Sequence, residues 1–284
     1  MRKILLLIFC FLCNTCVLYG CSSDKVNSSS KNSQLERFAQ SEDLVSFINH
    51  STLLYPAAND EYEYNVYEGF VEITKYLGED TQISIPNEIE NLPVYVIGGI
   101  NADYTSDDRG KTAHENERTT HVIIPDNVVI IKEGAFHAFT ELKTVQLGSS
   151  VQIIEDYAFE GCNNLETIEF PDSLRILGDY AFAWSGNYVD DFDVILNEGL
   201  QEIGLRAFYD GEIDEITIPQ SVITIGEKAF TGIEKETEGW GNEHVLVVKG
   251  YKGSVAAQYV VESQEYIDDA NKYDEFKFKF ESID

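Results

Sequence analysis

The chain has 284 residues, of which 50 are Asp or Glu and 20 are Lys or Arg, so its formal net charge is −30. A field of this sign repels nucleic acid and anionic membrane surfaces, which excludes function classes that depend on basic patches. The length allows a substantial hydrophobic core, but it does not distinguish one domain, two domains or a repeat array.

Residues 1–20 predict an export signal. Arg2 and Lys3 precede a short uncharged apolar run that ends at Leu12, and small or apolar residues continue to residue 20. A transmembrane helix needs about 20 mostly apolar residues, and the run here is much shorter before polar sequence begins. Removal of this segment during export is therefore the better interpretation.

The segment Leu-Tyr-Gly-Cys at residues 18–21 resembles the bacterial lipobox. In that motif the signal is removed before the Cys, which becomes the lipidated first residue of the mature chain. Tyr19 departs from the usual small residue, and an ordinary signal peptide is the alternative. We expect residues 1–20 to be a lipoprotein signal peptide and Cys21 to be the lipidation site, which predicts an extracytoplasmic, surface-exposed protein anchored to a bacterial membrane.

Residues 21–79 divide into a tether and a predicted N-terminal cap. Residues 22–34 are polar and rich in Ser, Asn and Lys, which predicts a flexible tether behind the lipidated Cys21. Between residues 35 and 49 the apolar side chains fall near helical spacing, which predicts one or two short helices. The stretch from Tyr62 to Tyr76 alternates on either side of Glu68-Gly69, as a β-hairpin does. We predict that residues 35–79 form the cap.

From residue 119 onward the sequence repeats itself, and an Ala-Phe pair marks each copy. Successive phenylalanines are separated by 23, 23, 26 and 22 residues. Apolar columns recur upstream of each pair, so each unit predicts two short strands and one corner. A single unit cannot enclose its apolar residues, whereas stacked units share one continuous core. The pairs lie at residues 135–136, 158–159, 181–182, 207–208 and 229–230.

The array has predicted limits on both sides. A partial copy at residues 83–97 places its start near residue 80, and residues 101–118 form a polar excursion that we expect to be mobile. Past residue 232 the repeat fades, but Val245–Val248 predicts a strand, Ser254–Glu262 a short helix and Tyr273–Phe280 a strand. We predict a solenoid over residues 80–231 and a C-terminal cap over residues 232–284.

The repeat resembles the leucine-rich repeats of the BspA-like, or Treponema pallidum, type. The resemblance implies a mainly β fold, a right-handed leucine-rich-repeat solenoid of about 22–26-residue coils with N- and C-terminal caps. The chain departs from the pattern where Gly148 and Asn197 replace Pro, and the coil after Phe182 is longer than its neighbours. The residues that carry the resemblance best are Val151, Ile154, Ala158, Phe159, Cys162, Leu165, Ile168, Phe170 and Pro171.

The predicted strands place a set of polar side chains on the outside of the array. Because side chains alternate along a strand, residues beside the inward apolar ones point outward, and stacked coils align them into a ladder. Solenoids generally bind partners with such extended faces. The alternative is an ordinary solvated sheet. The candidate binding residues of this face are Thr144, Gln146, Thr167, Glu169, Asp193, Glu215 and Thr217.

The longer coil provides a second candidate surface. Trp184, Tyr188 and Phe192 lie on a predicted loop, where aromatic side chains can anchor a partner. The alternative is that these rings fold down and cover the longer coil. The acids at positions 190, 191 and 193 could hold Ca²⁺, but they lack the spaced loop with its glycine and terminal glutamate. We predict no metal site.

The sequence carries no motif of a catalytic site. It lacks the nucleophile elbow, the zinc-protease helix, the phosphate-binding loop and paired cysteines in the mature body. Cys162 would be the only body cysteine, so no internal disulfide can form, and its expected role is that of a buried hydrophobe. Two suitably separated carboxylates would suffice for glycoside hydrolysis, so a carbohydrate-active solenoid enzyme remains an alternative.

The resemblance also implies a role, because proteins of similar repeat type are associated with adhesion and attachment to host matrix proteins. We expect a cell-surface binding or adhesion protein without a cofactor, whose solenoid face binds a host protein, a cell or an extracellular polymer. The expected partner is an extracellular protein or glycan, and the membrane is contacted only through the lipid. A structural surface protein with no specific ligand is the further alternative.

Overall fold

The computed structural model describes residues 43–100, 118–189, 192–231, 244–270 and 276–284. The predicted export signal, Cys21, the tether and nearly all of the polar excursion at 101–118 lie outside these ranges. Strands predominate in the described part, as the mainly β prediction requires. No helix within these ranges has the length and apolar character needed to cross a membrane.

Five successive coils each contribute one short strand to a parallel sheet, which we call the front sheet. The central residue of each strand is buried, while the residues on either side of it point outward. Equivalent residues pair across neighbouring strands, as Ile123 does with Gln146. The front sheet follows the order β13-β11-β9-β7-β4, where β4 is Gln82–Ser84, β7 His121–Ile123, β9 Thr144–Gln146, β11 Thr167–Glu169 and β13 Asp193–Ile195.

Each repeat contributes a second strand to a ten-stranded sheet, the back sheet. Apart from the first, which has six residues, its repeat strands are only two residues long. Their partners are one repeat apart, as in the pairing of Ile131 with Ile154 and of Ile154 with Leu177. The inward residues of both sheets meet in one core. The repeat strands of the back sheet are β6 Leu92–Ile97, β8 Ile130–Ile131, β10 Ile153–Ile154, β12 Ile176–Leu177, β14 Glu202–Ile203 and β16 Thr224–Ile225.

The N-terminal part of the back sheet is antiparallel. The hairpin predicted from Tyr62 to Tyr76 is present, and its second strand pairs in parallel with β6, so it extends the repeat sheet directly. An edge strand adds to the hairpin. The sequence did not predict this strand, because Leu53, Leu54 and Tyr55 are largely exposed and so show no alternation of buried and exposed side chains. These strands are β1 Leu53–Ala58, β2 Tyr62–Tyr67, β3 Val71–Tyr76 and β5 Glu88–Ile89, which pairs with β6.

The short helix α1, Asp43–His50, overlaps the second half of the segment 35–49 predicted to be helical and ends one residue beyond it. The preceding residues 35–42 lie outside the described ranges. Phe47 of α1 meets Phe70 edge to face at 5.9 Å, and Phe70 stacks on Tyr95 of β6 at 5.8 Å. These rings attach α1 to the N-terminal end of the back sheet.

The Ala-Phe corners form a third ladder along the array. The main-chain N–H of the first four corner phenylalanines donates to the carbonyl of the Ala one repeat later, as Phe159 does to Ala181 at 2.8 Å and Phe182 to Ala207 at 2.7 Å. The rings stack in a continuous column, with Phe159 and Phe182 only 4.9 Å apart and 9° from parallel. The column contains Phe136, Phe159, Phe182, Phe208 and Phe230.

The C-terminal part ends the array with a strand-helix-strand unit. Strand β15, Glu215–Thr217, pairs in parallel with β17, His244–Gly250, which pairs in parallel with β18, Phe276–Ser282. We call these three strands the end sheet. Helix α2, Val255–Ala270, connects β17 to β18 and runs past the predicted end at Glu262, because its Glu and Gln residues are good helix formers even where apolar spacing fades.

Candidate functional site

The outer face of the front sheet presents two columns of side chains. The pairing register aligns Thr144 with Thr167, Thr167 with Asp193, and Glu169 with Ile195. Parallel strands lie about 4.8 Å apart, so neighbouring members of a column are close enough to contact one ligand together. The first column is Gln82, His121, Thr144, Thr167 and Asp193, and the second is Ser84, Ile123, Gln146, Glu169 and Ile195.

This face is open to solvent. The strand centres Val145 and Ile168 are buried in the core, while Glu169 and Asp193 are exposed. Ile195 leaves 47% of its surface exposed, so the face offers apolar as well as polar contacts. The structure therefore brings together five of the predicted face residues, namely Thr144, Gln146, Thr167, Glu169 and Asp193.

Glu215 and Thr217 correct the prediction of a single ladder. Both are exposed on β15, but they pair with Val247 and Lys249 of β17 instead of with β13. The Glu215 carboxylate forms an ion pair with the ammonium group of Lys249. The ladder of the front sheet stops at β13, in the coil that is longer than its neighbours, and Glu215 and Thr217 belong to the end sheet.

Phe192 is the second correction. Its ring is 1% exposed and belongs to the core, so it is not available as a surface anchor. Its main-chain N–H donates to the carbonyl of Glu212 at 2.8 Å. The ring lies against Gly186, where an added Cβ would be 2.4 Å from the Phe192 Cγ atom. Phe192 therefore follows the alternative in which the ring folds down onto the longer coil, because an exposed ring would leave the core of that coil unfilled.

Trp184 is only partly available as a surface anchor for a partner. Its side chain is half-buried and meets Tyr209 edge to face at 5.5 Å. Its backbone has a φ of 55°, and its carbonyl accepts a hydrogen bond from the Asn163 side-chain amide at 3.2 Å. The indole therefore packs against Tyr209 of the next coil, and the main chain of Trp184 is fixed by the bond from Asn163.

Tyr188 is the exposed ring of the longer coil, with 72% of its surface in solvent. Its main-chain N–H donates to the Asn163 carbonyl at 3.0 Å, and that of Asp193 donates to the Glu166 carbonyl at 3.1 Å. These bonds join the main chain of the longer coil to the preceding coil ahead of β11 and β13. The acids at 190 and 191 lie outside the described residues, and the described part contains no group of three metal-ligating side chains.

The comparisons with known proteins bear on the repeat itself. Residues 108–236 match the BspA type leucine rich repeat region in six copies. This part of the chain is a BspA-type leucine-rich repeat region. None of the curated proteins compared with the chain matches it.

Several solved structures are similar to this chain, and two of them, with TM-scores of 0.54 and 0.50, show the fold. The Pneumococcal vaccine antigen PcpA has a TM-score of 0.54 at 22% identity, covering 71% of this chain and 51% of that chain. A leucine rich repeat protein of T. pallidum has a TM-score of 0.50 at 21% identity, covering 80% of this chain and all of its own. A leucine rich cell surface protein from Faecalibacterium prausnitzii A2-165 has a TM-score of 0.48 at 23% identity, covering 63% and 52%. The chain thus spans about half the length of PcpA and of the Faecalibacterium protein.

The BspA-type repeats carry an aromatic and cationic column that sequence analysis missed. The residue before each Ala-Phe pair is left-handed, with φ of 58° at Tyr157, 56° at Tyr180 and 53° at Arg206. Tyr157 stacks on Tyr180 at 5.1 Å, and the Arg206 guanidinium lies between the rings of Tyr180 and Tyr209 at 5.7 and 5.0 Å. The shared position before Ala-Phe was the signal that could have revealed this column.

Cys162 of the repeat region lies in the core and contributes no nucleophile. The side chain is fully buried, and its thiol donates a weak hydrogen bond to the Phe136 carbonyl at 3.5 Å. Burial raises the pKa of the thiol well above its usual range, so the reactive thiolate is disfavoured. The residue therefore packs as a small hydrophobe.

Proposed function

We propose that this chain is an extracytoplasmic surface protein that binds an extracellular protein or glycan through the outer face of the front sheet. The observation that carries the proposal is the alignment of outward side chains from five consecutive strands into one exposed surface. The face combines carboxylates, amides and hydroxyls with the exposed aliphatic residues Ile123 and Ile195. Such a mixture resembles the polar and apolar composition of ordinary recognition surfaces.

The family supports the surface location. BspA-type repeats occur here, and one structural neighbour is the vaccine antigen PcpA. The lipobox-like segment at residues 18–21 supports export and attachment through Cys21. In this proposal the lipid holds the protein at the membrane, while the repeat region supplies the contact surface.

The test is binding of the purified protein to an array of matrix proteins and glycans. Glu169→Arg reverses a charge on the front sheet, and Glu202→Arg makes the same change at an exposed position of β14 in the back sheet. We expect saturable binding that Glu169→Arg weakens by about 10-fold or more, since like charges opposed across an interface are costly. Glu202→Arg should change the affinity by less than about 2-fold.

Three other results would contradict the proposal. The absence of saturable binding to any ligand would favour a structural surface protein. Equal weakening by Glu169→Arg and Glu202→Arg would show that the ligand does not bind specifically at the front sheet. Release of sugar from the glycans on the array would favour the carbohydrate-active alternative.

A further inference from the structure

Arg206 is a half-buried cation without a carboxylate partner among the described residues. Its guanidinium lies between the rings of Tyr180 and Tyr209, at 5.7 and 5.0 Å from their centroids. Its side-chain hydrogen bond runs from Nη1 to the Tyr180 hydroxyl at 3.1 Å. An Arg side chain carries further N–H donors, so this guanidinium can still pair with an external acceptor.

The sequence omits the acid that the other coils place beside this column. The position three residues before the corner Phe is Leu205 in this coil and is acidic in the other four. The corresponding acid of the preceding coil, Asp179, accepts from the Leu205 main-chain N–H at 2.8 Å. In the following coil Glu227 lies 3.9 Å from the Lys228 ammonium group. In a chain with 50 acids, the guanidinium of Arg206 is therefore left unneutralised by any described residue.

Trp184 places a second donor close to Arg206. Its indole meets the Tyr209 ring edge to face at 5.5 Å, and the Arg206 guanidinium lies over that same ring. Within the described part of the chain the indole N–H has no acceptor. The side chain is half-buried, so part of the indole is open to solvent. Two partly exposed donors therefore contact one aromatic ring.

Both side chains stand where the backbone favours glycine. The φ angle is 55° at Trp184 and 53° at Arg206, whereas the equivalent positions of earlier coils hold Gly161 and Gly134. A bulky side chain in this left-handed region carries a backbone cost, and such costs cluster at binding sites. The sequence therefore places these two side chains at a cost that glycine would avoid.

We propose that Tyr180, Trp184, Arg206 and Tyr209, which we call the corner site, bind a sugar that carries an isolated carboxylate. The carboxylate accepts from the Arg206 guanidinium, and the indole N–H donates to a sugar hydroxyl. The C–H face of the sugar ring packs on the exposed part of the indole. This inference goes beyond the proposed function, because the corner site uses none of the residues of the front sheet.

Charge and main-chain pairing select this class of ligand. The net charge of −30 repels a dense polyanion, so the carboxylates of the ligand are isolated. A peptide strand is disfavoured because the main-chain N–H groups of the site are paired within the array. Trp184 donates its N–H to the Tyr209 carbonyl at 2.7 Å, and Arg206 donates to the Glu227 carbonyl at 3.0 Å. A sugar needs no such main-chain groups.

The experiment measures binding of two matched probes by isothermal titration calorimetry, in salt of about physiological strength. The probes are a glucose trisaccharide and the same trisaccharide with a glucuronic acid as its terminal ring. We expect the acidic probe to bind about 10-fold more tightly, and Arg206→Gln to abolish this difference. The matched control is Arg175→Gln, which removes a half-buried cation that bonds to the Asp172 carbonyl, and it should change neither Kd by more than about 2-fold.

Two further variants separate binding from folding. Trp184→Phe keeps a ring against Tyr209 but removes the indole N–H, and it should raise Kd for both probes by about 3-fold. Arg206→Lys keeps the charge but loses the planar guanidinium, so it should retain part of the preference for the acidic probe. Thermal unfolding of each variant checks that the fold is kept.

Several outcomes would overturn the inference. Equal affinity of the unaltered protein for the two probes, or no binding of either, would exclude an acidic sugar. Equal losses in Arg206→Gln and Arg175→Gln would show that only the overall charge matters. Tighter binding of a glutamate-containing peptide measured beside the probes would assign the site to a polypeptide. Glu169→Arg should leave the Kd of the acidic probe within about 2-fold, so this inference and the proposed function fail separately.

Discussion

Single residues at the corners combine unusual backbone geometry with packing between coils. Tyr157, Tyr180 and Arg206 hold positive φ angles that are rare for side chains of this size. Their side chains stack along the array, and Arg206 donates from Nη1 to the Tyr180 hydroxyl at 3.1 Å. The packing offsets the backbone cost, since such conformations persist only where surrounding contacts hold them.

Glu155 is a residue whose ionisation opposes folding. Burial is the main cause that raises its pKa above the ordinary value, although the Glu133 N–H donates to its carboxylate at 3.1 Å and Lys132 lowers the pKa. Its folded-state pKa exceeds its unfolded value, so the folded state binds the proton more tightly. The resulting stabilisation is present below the unfolded pKa and is lost as pH rises through the folded pKa.

We therefore expect Glu155→Gln to stabilise the protein at pH 7. The amide keeps an acceptor for the Glu133 N–H without the buried charge, and the gain should be at most about 1 kcal/mol because solvent screens this partly exposed group. Thermal unfolding at pH 7 and pH 4 measures the difference, which should narrow at the lower pH. An equal gain at both values, or the same pattern in the exposed control Glu202→Gln, would refute the explanation.

At the scale of elements, glycines occupy the back-sheet turns of the last three coils, whereas Lys132 and Glu155 stand at the equivalent positions of the two coils before them. Gly178, Gly204 and Gly226 each follow the last residue of a back-sheet strand. A Cβ at Gly204 would lie 2.4 Å from the carbonyl carbon of Gly178 in the preceding coil. The neighbouring atoms belong to the main chain, which cannot move aside without disturbing the ladder.

Gly204→Ala should therefore reduce the free energy of unfolding by about 1–3 kcal/mol, as overpacking does. Urea denaturation measures the change. The matched control is Gly211→Ala, where the nearest atom to an added Cβ is 3.1 Å away and the expected loss is smaller. Equal losses at both positions would mean that the general cost of replacing glycine, and not coil contact, explains the result.

Sequence patterns predicted the repeat strands well, because the alternation of apolar residues and the Ala-Phe period are local features that stacking then reinforces. They predicted the elements of the longer coil poorly. Whether Phe192 fills the core or meets solvent depends on Gly186 and on the neighbouring coil, which are tertiary contacts. The pairing of Glu215 with Val247 of β17 likewise depends on a strand far along the chain.

At the scale of the whole molecule, the last coil of a repeat array must have its exposed core covered. Within the described ranges the N–H of Phe230 meets no Ala carbonyl of a further coil, and it donates to the Tyr259 hydroxyl at 3.0 Å. The Tyr259 ring meets Phe230 edge to face at 5.8 Å and closes the phenylalanine column. Burial raises the pKa of Tyr259 to about 12, so the hydroxyl stays neutral at all ordinary pH values.

Tyr259→Phe should lower the free energy of unfolding by about 1–3 kcal/mol, because it leaves a buried N–H without an acceptor while keeping the ring. Denaturant unfolding at pH 7 measures the loss. Since the folded-state pKa is raised, wild-type stability falls as pH rises above about 10, and the difference between the two proteins should shrink there. Tyr180→Phe serves as the control and should cost less than about 1 kcal/mol, because the Tyr180 hydroxyl accepts from the half-buried Arg206. A loss no larger than that of the control would show that the hydroxyl does not close the array.

The sequence by itself determined the repeat architecture and its family, because the Ala-Phe period fixes which residues stack and a single unit cannot bury them alone. It also determined which residues of each regular strand point outward, since side chains alternate along a strand. Only the tertiary structure decided where the front sheet stops, which ring of the longer coil is exposed and what closes the last coil. Those features depend on contacts between segments far apart in the chain, and the local periodicity of the sequence does not indicate such contacts.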